Sequence, residues 1–147
     1  MKLDENAIAI IRHLRDGRKS FNAIADDLCL SENTVRKRVK KLVDEDVLEI
    51  SGLVDPEAMP DHMVCMIGVK LDTLNLVDKA REFSTLKGVV SASVVTGRYD
   101  LMLVVLLKED FNLLDFYTTE VYRLKGIRSV ETFVVYKGYN LKVPYVY

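Results

Sequence analysis

Apolar residues recur at helical spacing through the first third of the chain and change to strict alternation near Met63. Ala7, Ile11 and Leu14 share one face of a helix that Asp4 can cap and Gly17 can end. Ser20 can cap a short second helix bearing Phe21, Ile24, Ala25 and Leu28, ending at Cys29. Ser31 can cap a third, in which Val35, Val39 and Leu42 form the seam. Two capped helices joined by so tight a turn predict a helix-turn-helix, and the first helix closes its core. Val47, Leu48 and Ile50 then form a short extended, wing-like piece before Ser51, Gly52, Asp55, Pro56 and Pro60 break the pattern.

Ile67, Val69 and Leu71 alternate with Gly68, Lys70 and Asp72, as a half-buried strand requires. A helix with Leu76, Ala80 and Phe83 on one side follows. Leu86-Lys87-Gly88-Val89-Val90-Ser91 is echoed by Leu124-Lys125-Gly126-Ile127-Arg128-Ser129, each copy following an amphipathic helix and opening a strand. The second of these helices is read from an Asp110 cap through Leu114, Tyr117, Val121 and Leu124, and its strand from Ser129 to Tyr136. Strands Val89 to Thr96 and Tyr99 to Leu107, joined by a tight Gly97-Arg98 turn, complete the order βαββαβ. The fold class is α+β: an N-terminal (winged) helix-turn-helix over 1–52, a linker over 53–62, and a ferredoxin-like βαββαβ domain over 63–147.

Leu101 to Leu107 is apolar at every position, so both faces of that strand call for burial, whereas two helices cover one face of a sheet. A second copy packed face to face through a two-fold axis is the simplest cover, and a homodimer is expected. A strand that merely tolerates exposed apolar groups, or cover by the linker, are the alternatives.

Charge sharpens the first domain. Arg36, Lys37, Arg38, Lys40 and Lys41 fill the third helix between its apolar positions, where a polyanion can lie. Double-stranded DNA is the expected partner. Ser31, Glu32, Asn33, Thr34 and those five cations are the candidate contacts, with Asn33 and Thr34, near the helix N-terminus, the base readers. The whole chain holds 21 Lys+Arg against 22 Asp+Glu, and residues 1–52 hold ten of each sign. A basic motif inside a neutral domain suits a weak monomeric binder that gains affinity by pairing on two half-sites.

The remaining chemistry is sparse. No apolar run is long enough to span a bilayer, and MKLDENAIAI places acids where a signal peptide needs cations, so a cytoplasmic location and no membrane partner are expected. Cys29 and Cys65 lack metal-ligand spacing and read as reduced structural thiols. His13 and His62 stand apart from any second catalytic group, and no phosphate-binding glycine loop occurs. No enzyme activity, metal or cofactor is expected.

Leu3-Asp4, Asp16-Gly17-Arg18, Leu30-Ser31, Thr34-Val35, Arg38-Val39, Leu42, Gly97-Arg98-Tyr99-Asp100 and Lys125-Gly126-Ile127 follow one another in an order and spacing that resembles the leucine-responsive/asparagine-synthetase regulator (Lrp/AsnC) family over essentially the whole chain. The resemblance implies a transcriptional regulator that dimerises, often assembles four dimers into an octamer, and binds an amino acid or similar effector. It places that effector near Gly97, Arg98, Tyr99, Asp100 and Thr132. In this setting Asp100 can accept from an α-ammonium, and backbone N–H groups at Gly97 can receive a carboxylate. The same residues also suit a plain hairpin, in which Gly97 permits the turn and Asp100 caps it.

The chain departs from the family pattern at Cys29, where a Gly is usual and a Cys must either take a left-handed backbone or shift the turn slightly. Met59-Pro60-Asp61-His62 replaces small linker residues, and Leu101 replaces an aromatic beside the ligand. Two alternatives share the architecture: a tetrapyrrole (siroheme-type) decarboxylase, and an assembly module without a ligand.

Overall fold

The computed structural model describes residues 3–147, and the chain divides into two compact units, Met1–Ser51 and Gly52–Tyr147. In the first, α1 (Glu5–Leu14), α2 (Phe21–Asp27) and α3 (Glu32–Asp44) each start on a side-chain cap. Asp4 Oδ1 accepts from Ala7 N at 2.7 Å, Ser20 Oγ from Ala23 N at 3.1 Å, and Ser31 Oγ from Thr34 N at 3.1 Å. Such caps satisfy amides that the helix leaves without partners and contribute about 1 kcal/mol each. Ile10, Ile24, Ala25, Val35 and Val39 make the core of this unit. Its tight turn depends on Cys29, whose φ of +53° shows that it takes the left-handed backbone rather than shifting the turn. Leu30 N closes the turn by donating to Ala25 O at 2.9 Å. An L-residue there costs roughly 1–2 kcal/mol relative to glycine.

No wing forms among the described residues of this unit. Val47, Leu48 and Ile50 carry no strand pairing, and the next strand, β1 (Leu53–Val54), belongs to the second unit. Residues 53–62, expected as a linker, are instead ordered structure of that unit. β1 pairs with β6 (Val143–Pro144), and Asp55 caps a 3₁₀ turn over Pro56–Ala58.

The second unit is a four-stranded antiparallel sheet in the order β3-β4-β2-β5, with β2 His62–Leu71, β3 Val89–Val94, β4 Leu101–Lys108 and β5 Ile127–Val134. Helix α4 (Leu76–Ser84) lies between β2 and β3, and α5 (Leu113–Asp115) begins the connection from β4 to β5. This is the expected βαββαβ order. One face of the sheet, with Cys65, Ile67, Val69, Leu101, Leu103, Val105 and Leu107, packs with Phe83 and Phe116 into a single core. Each of these large side chains contributes roughly 1.5–3 kcal/mol by leaving water.

Gly88 and Gly126, the glycines of the repeat, both hold positive φ, +82° and +77°. At Gly88 a Cβ would lie 2.7 Å from Leu106 O, so the entry to β3 admits no side chain.

Several boundaries differ from the sequence reading. β3 stops at Val94 and β4 starts at Leu101, so the expected two-residue turn is a wider loop closed by Val95 N donating to Asp100 O at 3.0 Å. β5 runs Ile127–Val134 rather than Ser129 to Tyr136. The second helix is capped by Asn112, not Asp110. Asn112 forms a reciprocal capping box with Asp115, while Asp110 pairs with Lys108. After one α turn the helix widens to a π turn over Phe116–Glu120 and tightens to 3₁₀ over Val121–Arg123. The Thr118 and Thr119 hydroxyls donate back to Leu114 O at 2.9 Å and Asp115 O at 2.7 Å, competing with the regular ladder. The phase shift leaves Leu114 exposed and buries Phe116.

Cover of the opposite sheet face is divided. The chain's own C-terminal segment, with Leu141, Val143 and Val146, packs over Val64 and Leu106. Toward the other end Met66, at 39% exposure, and Phe133, at 42%, remain open beside the half-buried Met102 and Val104.

Candidate functional sites

In α3 the seam Val35, Val39 and Leu42 is buried, and Ser31, Asn33, Arg36, Lys37, Lys40 and Lys41 are exposed on the remaining surface. Glu32 and Thr34 are half-buried, and the Thr34 hydroxyl is held 2.8 Å from Ser31 Oγ at the helix start. Four of the five cations face an acid of their own unit. Arg36 pairs with Glu32, Lys40 with Asp44 at 2.6 Å, and Lys41 with Glu45 at 3.7 Å.

Arg38 is different in kind. It binds both oxygens of Asp4 at 3.0 and 2.7 Å, so the residue that caps α1 also ties α3 to it. The Arg38 guanidinium, helped by the Ala7 amide, holds the Asp4 carboxyl below its ordinary range. Arg38 is therefore a scaffold residue before it is a phosphate contact. Lys37 makes no ion pair among the described residues. The Arg36 guanidinium also stands 5.4 Å from the centre of the Phe21 ring, a cation–π contact that steadies it.

In the second unit Gly97, at φ +121°, and Arg98 form the loop after β3, and Tyr99 and Asp100 lead into β4. The Tyr99 ring lies flat on Gly68 of β2, where a Cβ would meet three ring carbons at 2.7–2.8 Å. Its hydroxyl donates to Glu131, and that carboxylate pushes the phenol up from its ordinary value. Phe133 meets the same ring edge-on at 6.2 Å, and Arg98 stands 5.7 Å from it and 3.5 Å from Glu131 Oε2.

Asp100 is already engaged. Its Oδ2 accepts from Leu71 N at 2.8 Å and its Oδ1 from Lys70 Nζ at 2.9 Å. Thr132 is not brought to this cluster: it lies on the helical side of the sheet, its hydroxyl 2.6 Å from that of Tyr117.

Glu131, Phe133, Lys70 and the Leu71 amide were not among the residues singled out from the sequence. A period-two reading outward from Thr132 would have put Glu131 and Phe133 together on the opposite face. Nothing local announces the pairing that sets Gly68 beneath Tyr99.

The Leu71 amide, followed by the Lys70 ammonium, holds the Asp100 carboxyl below 3.8. A carboxyl depressed in the folded state adds stability above its unfolded pKa, and that stability is lost as pH falls through the folded value. Asp100→Asn should thus be less stable than wild type at neutral pH, and the gap should narrow below about pH 3.8. Urea denaturation across that range measures it, and a gap constant with pH would place the effect outside this carboxylate.

Comparison with known proteins bears on both units. The AsnC-type helix-turn-helix domain model matches residues 3–43, and the Lrp/AsnC ligand binding domain model matches residues 64–142. An uncharacterized HTH-type transcriptional regulator of Pyrococcus horikoshii is 31% identical over 137 residues, covering 92% of this chain and 87% of that protein. Among solved structures, that of PH0061 is similar with a TM-score of 0.78 at 20% identity, covering 97% of this chain and 98% of the other. The transcriptional regulator NMB0573 of Neisseria meningitidis, solved as a complex with L-Met, has a TM-score of 0.67 at 20% identity, covering 92% and 91%. With a helix-turn-helix ahead of a ligand-binding-type α+β domain, and matches spanning both, this chain belongs to the Lrp/AsnC family of transcriptional regulators.

Proposed function

We propose that the chain is a sequence-specific, operator-binding regulator that acts in the cytoplasm as a homodimer, with assembly to an octamer of four dimers open to it, and whose DNA binding or assembly responds to an amino acid or related small molecule. Residues 1–52 act as the DNA-binding domain and 63–147 as the effector-binding and dimerisation domain. The observation that carries the reading is α3, with its apolar seam turned inward and Ser31, Asn33, Arg36, Lys37, Lys40 and Lys41 exposed together.

Exposed ion pairs are worth little, so phosphates can displace Glu32, Asp44 and Glu45 from Arg36, Lys40 and Lys41. In this reading Asn33, exposed near the helix N-terminus, contacts base edges, and Lys37 holds a phosphate without first breaking a pair. Lys37→Ala should lower the salt slope of operator binding by about one unit, and Asn33→Ala should cost roughly 1–3 kcal/mol at one base pair. Fluorescence anisotropy over a salt titration measures both, and wild-type affinity and slope in both variants would rule out α3 as the recognition helix.

Self-association is supported by the open part of the sheet face around Met66, Met102, Val104 and Phe133. Met66→Asp puts a carboxylate there at a partly exposed position, where the fold loses less than it would at a buried one. Sedimentation velocity at micromolar concentration should show wild type as a dimer or larger and the folded variant as a monomer. A wild-type monomer would end this part of the reading.

For the effector, the L-Met complex of NMB0573 supports an amino acid as the ligand class. The exposed Arg98 is suited to a carboxylate, and backbone N–H groups at Gly97 remain a second candidate for it. Asp100 meets an ammonium only in competition with Lys70, and Thr132 serves by anchoring β5 to Tyr117. In a thermal-shift panel of amino acids, one or a few should raise the melting temperature, and Arg98→Ala should remove that rise while DNA binding persists. A panel without any shift would favour the assembly module that needs no ligand.

A further inference from the structure

The densest excess of positive charge in the first unit does not lie on α3. Residues 12–19, at the end of α1 and in the turn to α2, hold Arg12, Arg15, Arg18 and Lys19 against one acid, Asp16. Residues 32–45 hold five cations against Glu32, Asp44 and Glu45. Lys19 is engaged by Asp27 and lies 2.9 Å from His13 Nδ1. Arg12, Arg15 and Arg18 are exposed, and none of them makes an ion pair among the described residues. Asp16, the acid between them, accepts from the Arg18 amide at 3.1 Å rather than from a guanidinium.

Helix electrostatics accounts for part of this charge only. Cations are favoured at a helix C-terminus within its last turn, where Arg12 stands, and Arg15 is the C-cap that follows. Arg18 lies beyond, in a turn closed by Lys19 N donating to Asp16 O at 3.0 Å, and ahead of the Ser20 cap of α2, where a helix dipole gives a cation nothing. Its position points instead to α3. The ring of Phe21, the first residue of α2, stands 5.4 Å from the Arg36 guanidinium. Arg18 is three residues earlier, so its Cα lies within about 11 Å of that of Phe21.

From the three unpaired guanidinium groups and the closeness of Arg18 to Arg36 of α3, we infer that Arg15 and Arg18, with Arg12 beside them, form a second phosphate-binding patch that grips the DNA backbone flanking the groove entered by α3. The inference rests on the reading of α3 as the DNA-contacting helix. A duplex carries one phosphate charge per about 1.7 Å of its axis, so one lying on α3 brings its backbone past this turn. A guanidinium fork donates two parallel bonds to phosphate oxygens, and these arginines have no acid to leave first. The patch adds affinity and fixes register, and reads no bases.

Fluorescence anisotropy of the full chain with two labelled duplexes of unrelated mixed sequence, over about 50 to 200 mM salt, tests this without a known operator. Arg18→Ala, outside any helix, should lower the slope of log affinity against log salt by about one unit, and Arg15→Ala with Arg18→Ala by about two. Across that salt range wild type should then lose about tenfold more affinity than the double variant. Both duplexes should show the same change, because phosphate contacts carry no base information. Arg15→Lys with Arg18→Lys should keep the wild-type slope, which damage to the fold would not allow. A slope unchanged in the alanine variants while Lys37→Ala lowers it would overturn the patch and leave the reading of α3 standing. No binding by wild type, or an unchanged slope in Lys37→Ala as well, would remove both. A change restricted to one duplex, or one that lysine does not restore, would also overturn the assignment.

Discussion

A strand apolar on both faces cannot be satisfied by one layer of helices, and β4 is such a strand at the centre of the sheet. Leu101, Leu103, Val105 and Leu107 are taken up by the core beneath α4 and the 113–123 helical segment, which leaves Met102, Val104 and Leu106 on the far side. The chain solves part of the problem itself. Its C-terminal segment returns across the sheet, pairs β6 with β1, and closes Val143 over Val64 and Leu106. The uncovered remainder is continuous with Met66, Phe133 and the Tyr99 ring, so one constraint bears on both the proposed dimer face and the proposed effector loop.

In the first unit electrostatics is a matter of competition. The acids that partner Arg36, Lys40 and Lys41 are one helical turn away on α3 itself, and such i,i+4 pairs contribute only a few tenths of a kcal/mol. They add a little to the helix and, in the proposed reading, would yield to phosphate. Asp4 and Arg38 do not belong to that exchange. Their two-oxygen contact joins residues 34 apart in sequence and ties the start of α1 to α3, beside the apolar seam that positions that helix. A neutral unit with a locally basic helix fits binding that is discriminating because it is weak until paired.

What was legible in the sequence followed from periodicity and caps. The three N-caps, the seam of α3 and the βαββαβ order all rest on local rules, and each is seen in the structure; of the two outcomes open to Cys29, the left-handed backbone is the one observed. The misses have physical causes of another kind. A π turn hinges on two threonine hydroxyls turning back to the helix carbonyls, and one inserted residue was enough to exchange Leu114 for Phe116 in the core. The stretch 53–62 contains Pro and Asp and reads as a break, yet it pairs with a segment some 90 residues later, which no local pattern reports. Asp100 was legible as an acid at a loop. That its oxygens are spoken for by Lys70 and the Leu71 amide depends on strand register.

Register also explains why Thr132 and Tyr99 part company. Thr132 sits opposite Ile67 and Glu131 opposite Gly68, so neighbouring residues of β5 serve opposite faces of the sheet. Gly68 is the position on which the outer face turns: with no side chain, it lets the Tyr99 ring settle on the backbone and reach Glu131, and any larger residue would lift the ring away. The loop from Gly97 to Asp100 is then held from two sides, by the ring on one and by the Asp100 carboxylate on the other. An effector meeting this loop encounters a surface already organised by β2. In the proposed reading its binding energy would go into displacing Lys70 or recruiting Arg98 rather than into folding a flexible turn.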